Sequence, residues 1–209
     1  MAENMTENMS PLVPFDVYER HACHIGTTQR SQDMQQFLDN MQQDGSGLHI
    51  IDVHQTDARI RIVAQFLSNY EAQRVLVVSA RQYGQRPARK FAQSISAKHI
   101  VGRFIPGTLT NPRLRTYIEP EVILVTDPAA DAQALSEAVK SGLPVVAICD
   151  ANNRLRNVDL ALPANNKGRR SLALVYWLLS REILKVRGTV SNDMEWELAE
   201  DVADWESTF

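Results

Sequence analysis

The stretch Val122–Asp150, VILVTDPAADAQALSEAVKSGLPVVAICD, decides the fold. It opens on VILVT and closes on VVAIC, two unbroken apolar runs rich in β-branched residues. Runs without polar alternation fit strands covered on both faces, as in a parallel sheet. Between them, Asp131–Ser141 carries its apolar residues at helical spacing. Ser141-Gly142-Leu143-Pro144 then reads as helix stop, turn and return to a strand. Strand, helix, strand is the repeating unit of a doubly wound α/β domain.

The same alternation extends outward in both directions. Further strands are expected at Leu48–Val53 (LHIIDV), Val75–Ser79 (VLVVS) and, shorter, Asp159–Leu162. Helices are expected at Gln55–Tyr70, where Ile60, Val63, Ala64 and Leu67 share a face, at Gln85–Ser96, and at about Arg169–Arg187 around a buried LALVYWLL. Phe15–Cys23 adds a helix at the front. The expected architecture is α/β, doubly wound, with a mainly parallel sheet and right-handed crossovers. Residues 15–188 form that domain, between an acidic and polar N-terminal tail (1–14) and an acidic C-terminal tail (189–209) that folds only on a partner.

The chain has 209 residues, 44% hydrophobic and 22% charged, with a net charge of −3. These values suit one globular domain and exclude collagen-like or wholly disordered classes. No apolar run approaches 20 residues, so no ordinary membrane-spanning helix is expected. MAENMTENMS lacks the basic-then-apolar plan of a secretory signal, and two cysteines, Cys23 and Cys149, do not make a disulfide framework. A cytoplasmic setting follows as the expectation. The net charge is unevenly spread: residues 10–188 hold all 22 bases against 16 acids, a net +6, whereas 189–209 hold seven acids and no base. A basic body with an acidic end suggests a polyanionic partner, although a soluble domain with a solvated tail has the same pattern.

In open parallel sheets, ligands meet the crevice beyond the carboxyl ends of the strands. The loops expected there carry Arg81 and Arg86; Arg103, Arg113 and Arg115; Arg154 and Arg156; and Lys167, Arg169 and Arg170. Thr108, Thr110 and Asn111 stand among them and offer short polar donors to phosphate or ribose oxygens. Arginine suits bidentate phosphate contact, and NNKGRRS opens the last helix, where free amides favour an anion. Loops also carry arginines simply because they are solvated, so these residues are candidates. In the acidic tail, Trp196 and Trp205 are candidate anchors for a protein partner.

Enzyme signatures are missing: no phosphate-loop motif, no dinucleotide-binding glycine motif and no nucleophile elbow. His21-Ala22-Cys23-His24 resembles a metal cluster but lacks further ligands at suitable spacing, so neither a metal nor a cofactor is expected. Asp52, Asp127 and Asp150 each end a strand, where a catalytic acid sits in this fold class, but no nucleophile or base accompanies them.

GRFIPGTLTNP (Gly102–Pro112), Pro120–Ala138, GLPVVAICDANN (Gly142–Asn153) and Val158–Leu184, taken in order, resemble the universal ribosomal protein S-two family of the small ribosomal subunit. HIGTTQ (His24–Gln29) and His49–Leu67 are similar to the start of the same family. LRNVDLALPANNKG and YWLLSREIL resemble its archaeal branch, which is related to the eukaryotic laminin-receptor-like ribosomal protein SA. The short interval from Asn111 to Val122 leaves no room for the coiled-coil insertion of bacterial relatives. The resemblance implies a flavodoxin-like α/β layer without catalytic residues. It further implies binding to small-subunit ribosomal RNA and to neighbouring ribosomal proteins between head and body, in support of subunit assembly and translation; an RNA surface on the helices or the other sheet edge, through Arg59, Arg61, Arg89 or Lys90, is equally compatible with it. The alternative is a flavodoxin-like enzyme or a nucleotide- or phosphate-ligand-binding protein using the same sheet edge.

Overall fold

Strands that are apolar at nearly every position go to the middle of a sheet covered on both sides. Val75–Ser79 (β3), Val122–Val125 (β5) and Val145–Cys149 (β6) do so, and every one of their residues is buried. Lys98–Val101 (β4) and Leu160–Pro163 (β7) flank them in a five-stranded parallel sheet of order β4-β3-β5-β6-β7. Renumbered from its first strand, that order is the 2-1-3-4-5 of flavodoxin-like folds. The computed structural model describes residues 10–43 and 47–208. Residues 1–9 of the expected N-terminal tail therefore lie outside the described residues.

The sheet's two faces are sorted by strand alternation. Val75, Val77, Leu124, Val146 and Ile148 point to Val53–Ser68 (α2), Gln82–Ser94 (α3) and Arg169–Val186 (α5). Leu76, Val78, Ile123, Val125 and Ala147 point the other way, to a single helix, Ala132–Lys140 (α4), and to Phe104, Leu109, Met34 and Phe37. The fold is thus doubly wound but lopsided, with α2, α3 and α5 packed on one face and α4 on the other. On the α4 face, two crossovers run without helix, as successive turns: 102–121 from β4 to β5, and 150–159 from β6 to β7.

Two expectations change. Leu48–Val53 is not a strand of the parallel sheet: only His49–Ile51 (β2) is extended, and it pairs antiparallel with Leu38–Gln43 (β1). The reason is local: the Asp52 carboxylate accepts the His54 N–H at 2.9 Å and caps α2, so the helix claims the residues expected to end the strand. The front helix, Phe15–Arg20 (α1), also stops before Cys23.

The acidic C-terminal segment packs on the body. The Asn192 side chain caps Asp193–Ala199 (α6), and a 3-10 turn follows at Val202–Trp205. Trp196 stands between Trp177 of α5 and Trp205, with ring centroids 6.2 Å from each. The Trp177 indole N–H donates to the Glu200 carbonyl at 2.8 Å, and Lys90 of α3 lies 5.6 Å above the Trp205 ring. Burial of these indoles supplies the apolar area that orders a segment of otherwise disorder-prone composition.

Candidate nucleic-acid interface

At the carboxyl edge of the sheet, the bases expected to meet a ligand are paired instead. Asp127, fully buried at the end of β5, takes the Arg81 guanidinium, and its other oxygen accepts from the Asn153 amide at 2.8 Å. Asp150, at the end of β6, accepts from the Lys167 ammonium at 2.6 Å; Asn152 also accepts from Lys167, at 2.8 Å. Asn153 accepts from the Asp150 N–H and from the Asn166 amide, which ties three loops into one network. Beneath it, burial raises the Asp131 carboxyl to about 6, against the pull of the Asp127 and Ala80 N–H groups that donate to it.

The start of α5 is also occupied. The Asn165 side chain accepts from the N–H groups of Lys167 and Gly168. Arg169 and Arg170 reach the same carboxylate, that of Glu206, at 3.3 and 3.9 Å. The anion at this helix start is the chain's own tail.

The arginines of the two helix-free crossovers differ. Arg103, Arg113, Arg115, Arg154 and Arg156 are exposed, and none of them forms an ion pair among the described residues. Their placement corrects the expectation of one basic edge. A crossover between parallel strands leaves the carboxyl end of one and returns to the amino end of the next. The segment 102–121 accordingly descends beside α4: the Leu109 carbonyl accepts from Ser141, just past the end of α4, at 3.1 Å. The Glu121 N–H donates to the Arg74 carbonyl at 2.8 Å, at the foot of β3. Arg103 stays near the carboxyl edge, while Arg113 and Arg115 sit far down the face. The second crossover behaves alike, with the Asp159 carboxylate accepting from the Val145 N–H at 2.8 Å.

One buried carboxylate shapes the first crossover. Glu137 of α4 accepts from the Gly107 N–H at 2.6 Å, the Leu109 N–H at 3.0 Å and the Thr110 hydroxyl at 3.3 Å, and Gln133 donates to it from the same helix. Burial pushes its pKa up, but these donors outweigh burial and hold it below the usual range. Gly107 adopts φ +93°, and a Cβ there would lie 2.7 Å from the Leu114 side chain, so only glycine fits this turn. Thr108 is buried and donates to the Ile105 carbonyl; Asn111 accepts from the Arg113 N–H; Arg86 is half-buried on α3. The two threonines and Asn111 are therefore employed in building the turn that presents Arg113.

Residues that the sequence did not single out join the same face. Arg154, Arg156 and Lys140 border a groove of about 590 Å³ between α4 and residues 152–157. Arg30 and Arg154 border an adjoining hollow of about 500 Å³. Arg30 could have been found from the charge pattern alone, but Lys140 only from the position of α4.

Comparison with known proteins bears on the same residues. The family model described as ribosomal protein S2 matches residues 20–119 and 114–185. The chain belongs to the ribosomal protein S2 family. A curated relative, the small ribosomal subunit protein uS2 of the archaeon Methanoregula boonei, is 54% identical over 186 residues, covering 89% of this chain and 91% of that one. The family match ends at 185, so α6 and both tail tryptophans lie beyond it, while every crossover arginine lies within it.

The remaining candidate groups of this S2-family chain have the following surroundings. The Cys23 thiol is buried, its pKa pushed up to about 12 by burial, and His21 Nδ1 pairs with the Val17 carbonyl at 2.8 Å. Among the described residues, no three His, Cys, Asp or Glu side chains converge as a metal site, and no helix is long and apolar enough to cross a membrane. Trp196 and Trp205, the candidate anchors of the tail, are buried within the chain itself.

Proposed function

We propose that this protein is a structural component of the small ribosomal subunit that binds small-subunit ribosomal RNA through the α4 face, working in the cytoplasm. The observation that carries this reading is the set of five exposed arginines without an ion pair on the two helix-free crossovers beside α4. Two rails of guanidinium groups on either side of a helix match phosphates on separate RNA strands, and such contacts recognise backbone shape rather than sequence. Family membership supports the particle, and the printed name of the archaeal relative supports its small subunit. A location between head and body, contact with neighbouring ribosomal proteins and a role in subunit assembly complete the proposal.

The rival reading, a nucleotide or flavin at the sheet edge, loses support because the Arg81–Asp127 and Lys167–Asp150 pairs fill that crevice. The test is binding of the full chain to refolded small-subunit RNA across a salt series. Arg113→Ala with Arg115→Ala should lower the slope of log K against log salt by about 0.7–0.9 for each phosphate that is no longer neutralised. An unchanged slope would sink the assignment of RNA to this face.

A further inference from the structure

We infer that the outward face of α6 is a docking surface for a basic, apolar-anchored segment of a neighbouring protein of the same particle, an inference that rests on the ribosomal reading above. On α6, Trp196 turns inward, and Met194 and Leu198, one turn apart, turn outward. Their exposures are 73% and 88%, the two largest among the exposed large hydrophobic residues. Two bare apolar side chains at i and i+4 on a seven-residue helix touch chiefly each other and add only slightly to its stability. The helix beneath them is firmly held. Asn192 accepts from the Glu195 N–H at 2.9 Å, Glu195 accepts from the Ser191 N–H at 2.8 Å, and Asp193 pairs with Lys185 at 2.8 Å. The pair is therefore presented on a pre-ordered surface, which lowers the entropy cost of binding.

Charge selects the occupant. Glu195, Glu197, Asp201 and Asp204 are exposed around the pair, and no lysine or arginine occurs between Thr189 and Phe209. The bases that meet this segment come from below it, from α3 and α5, and are engaged by Asp193, Glu200 and Glu206, with Arg181 also 3.8 Å from Glu197. The outward field is negative, so it repels phosphate and attracts lysine and arginine. The α6 surface also lies on the α5 side of the sheet, opposite the crossover arginines. RNA on the α4 face and a basic protein on the α6 face can be held at the same time.

The experiment places photoreactive p-benzoylphenylalanine at position 198 of the full chain, expressed in its source cells, and irradiates purified small subunits. Comigration of the chain with subunits tests the ribosomal reading separately: if the chain is absent from them, that reading fails and this inference falls with it. With the chain in place, the expected product is a cross-link to a peptide of another subunit protein that carries lysine or arginine beside apolar residues. A cross-link to RNA, to a second copy of this chain, or to nothing overturns the inference and leaves the RNA reading standing. The cross-linked protein, once purified, should bind the full chain about tenfold more weakly when the chain carries Met194→Gln with Leu198→Gln. Both positions are exposed and glutamine is a good helix former, so the unfolding transition should not move. An unchanged affinity would also overturn the inference.

Discussion

Replacing Glu137 separates a positioning role from a merely electrostatic one. The carboxylate holds two backbone amides of the first crossover, Gly107 at 2.6 Å and Leu109 at 3.0 Å, while the Thr110 hydroxyl is exposed and returns to water at little cost. Glutamine keeps one acceptor and turns an N–H₂ toward the other amide. One charged hydrogen bond becomes neutral and one buried donor is left unpaired, for a loss of about 2–3 kcal/mol. Alanine removes both acceptors, and about 3–5 kcal/mol is expected. Urea unfolding of the full chain measures the loss, and amide exchange at Gly107 and Leu109 locates it.

The effect on RNA binding has a sign that simple charge cannot reproduce. Either variant makes the protein more positive, which by long-range attraction alone tightens binding. If Glu137 acts by fixing the turn that presents Arg113 and Arg115, binding weakens instead. The stability gap between the wild type and Glu137→Gln also depends on pH. The folded carboxyl titrates below its ordinary 4.5, so its contribution is complete above that value and is lost as pH falls through the lower, folded value. Losses under about 1 kcal/mol, unchanged exchange at both amides, or tighter RNA binding would refute the reasoning.

Two other outcomes follow from the buried groups. Trp205→Ala removes a fully buried indole from the Trp177–Trp196–Trp205 stack and should cost about 3–5 kcal/mol; limited proteolysis should then cut between residues 189 and 208, and an uncut tail would contradict the packing described. Asp131 should titrate near 6 in a carbon-detected NMR series, and because the folded state keeps a proton that the unfolded state has released, stability should fall as pH rises from 3.8 to about 6; a midpoint at or below about 4 would refute its burial-driven shift.

The sheet centre is legible because nothing competes with an unbroken apolar run. Val75–Ser79 and Val145–Cys149 have the boundaries expected from sequence, and the helices between them shift by at most a few residues. KHIV at Lys98–Val101 is not among the strands expected above, because an edge strand that begins Lys98-His99 lacks the double-faced apolar pattern. The site is less legible for a different reason. The residue types are visible, but the crevice rule puts every loop after a strand at one edge. Parallel topology itself contradicts that, since the 20 residues from Gly102 to Glu121 must return the length of the sheet and carry Arg113 and Arg115 with them. The pairing of Arg81 and Lys167 with Asp127 and Asp150 is beyond sequence reasoning, because the partners are 46 and 17 residues apart and meet only through strand order.

The acidic tail also changes meaning once it is folded. As a free appendage it would offset the +6 of the body from every direction. Docked on α3 and α5, its carboxylates Asp193, Glu200 and Glu206 instead neutralise Lys90, Arg169, Arg170, Arg181 and Lys185, all on one side of the sheet. The Arg81 and Lys167 charges are neutralised at the sheet edge. Among the described residues, Arg103, Arg113, Arg115, Lys140, Arg154 and Arg156 then stand without an ion pair on the α4 face, while Arg59, Arg86, Arg89 and Arg187 do so on α2, on α3 and at the end of α5. Exposed like charges on two crossovers repel one another, and they persist at little cost only while water screens them. On the proposed reading, phosphates would screen them better, while the tail lowers the positive charge on the α5 side of the sheet.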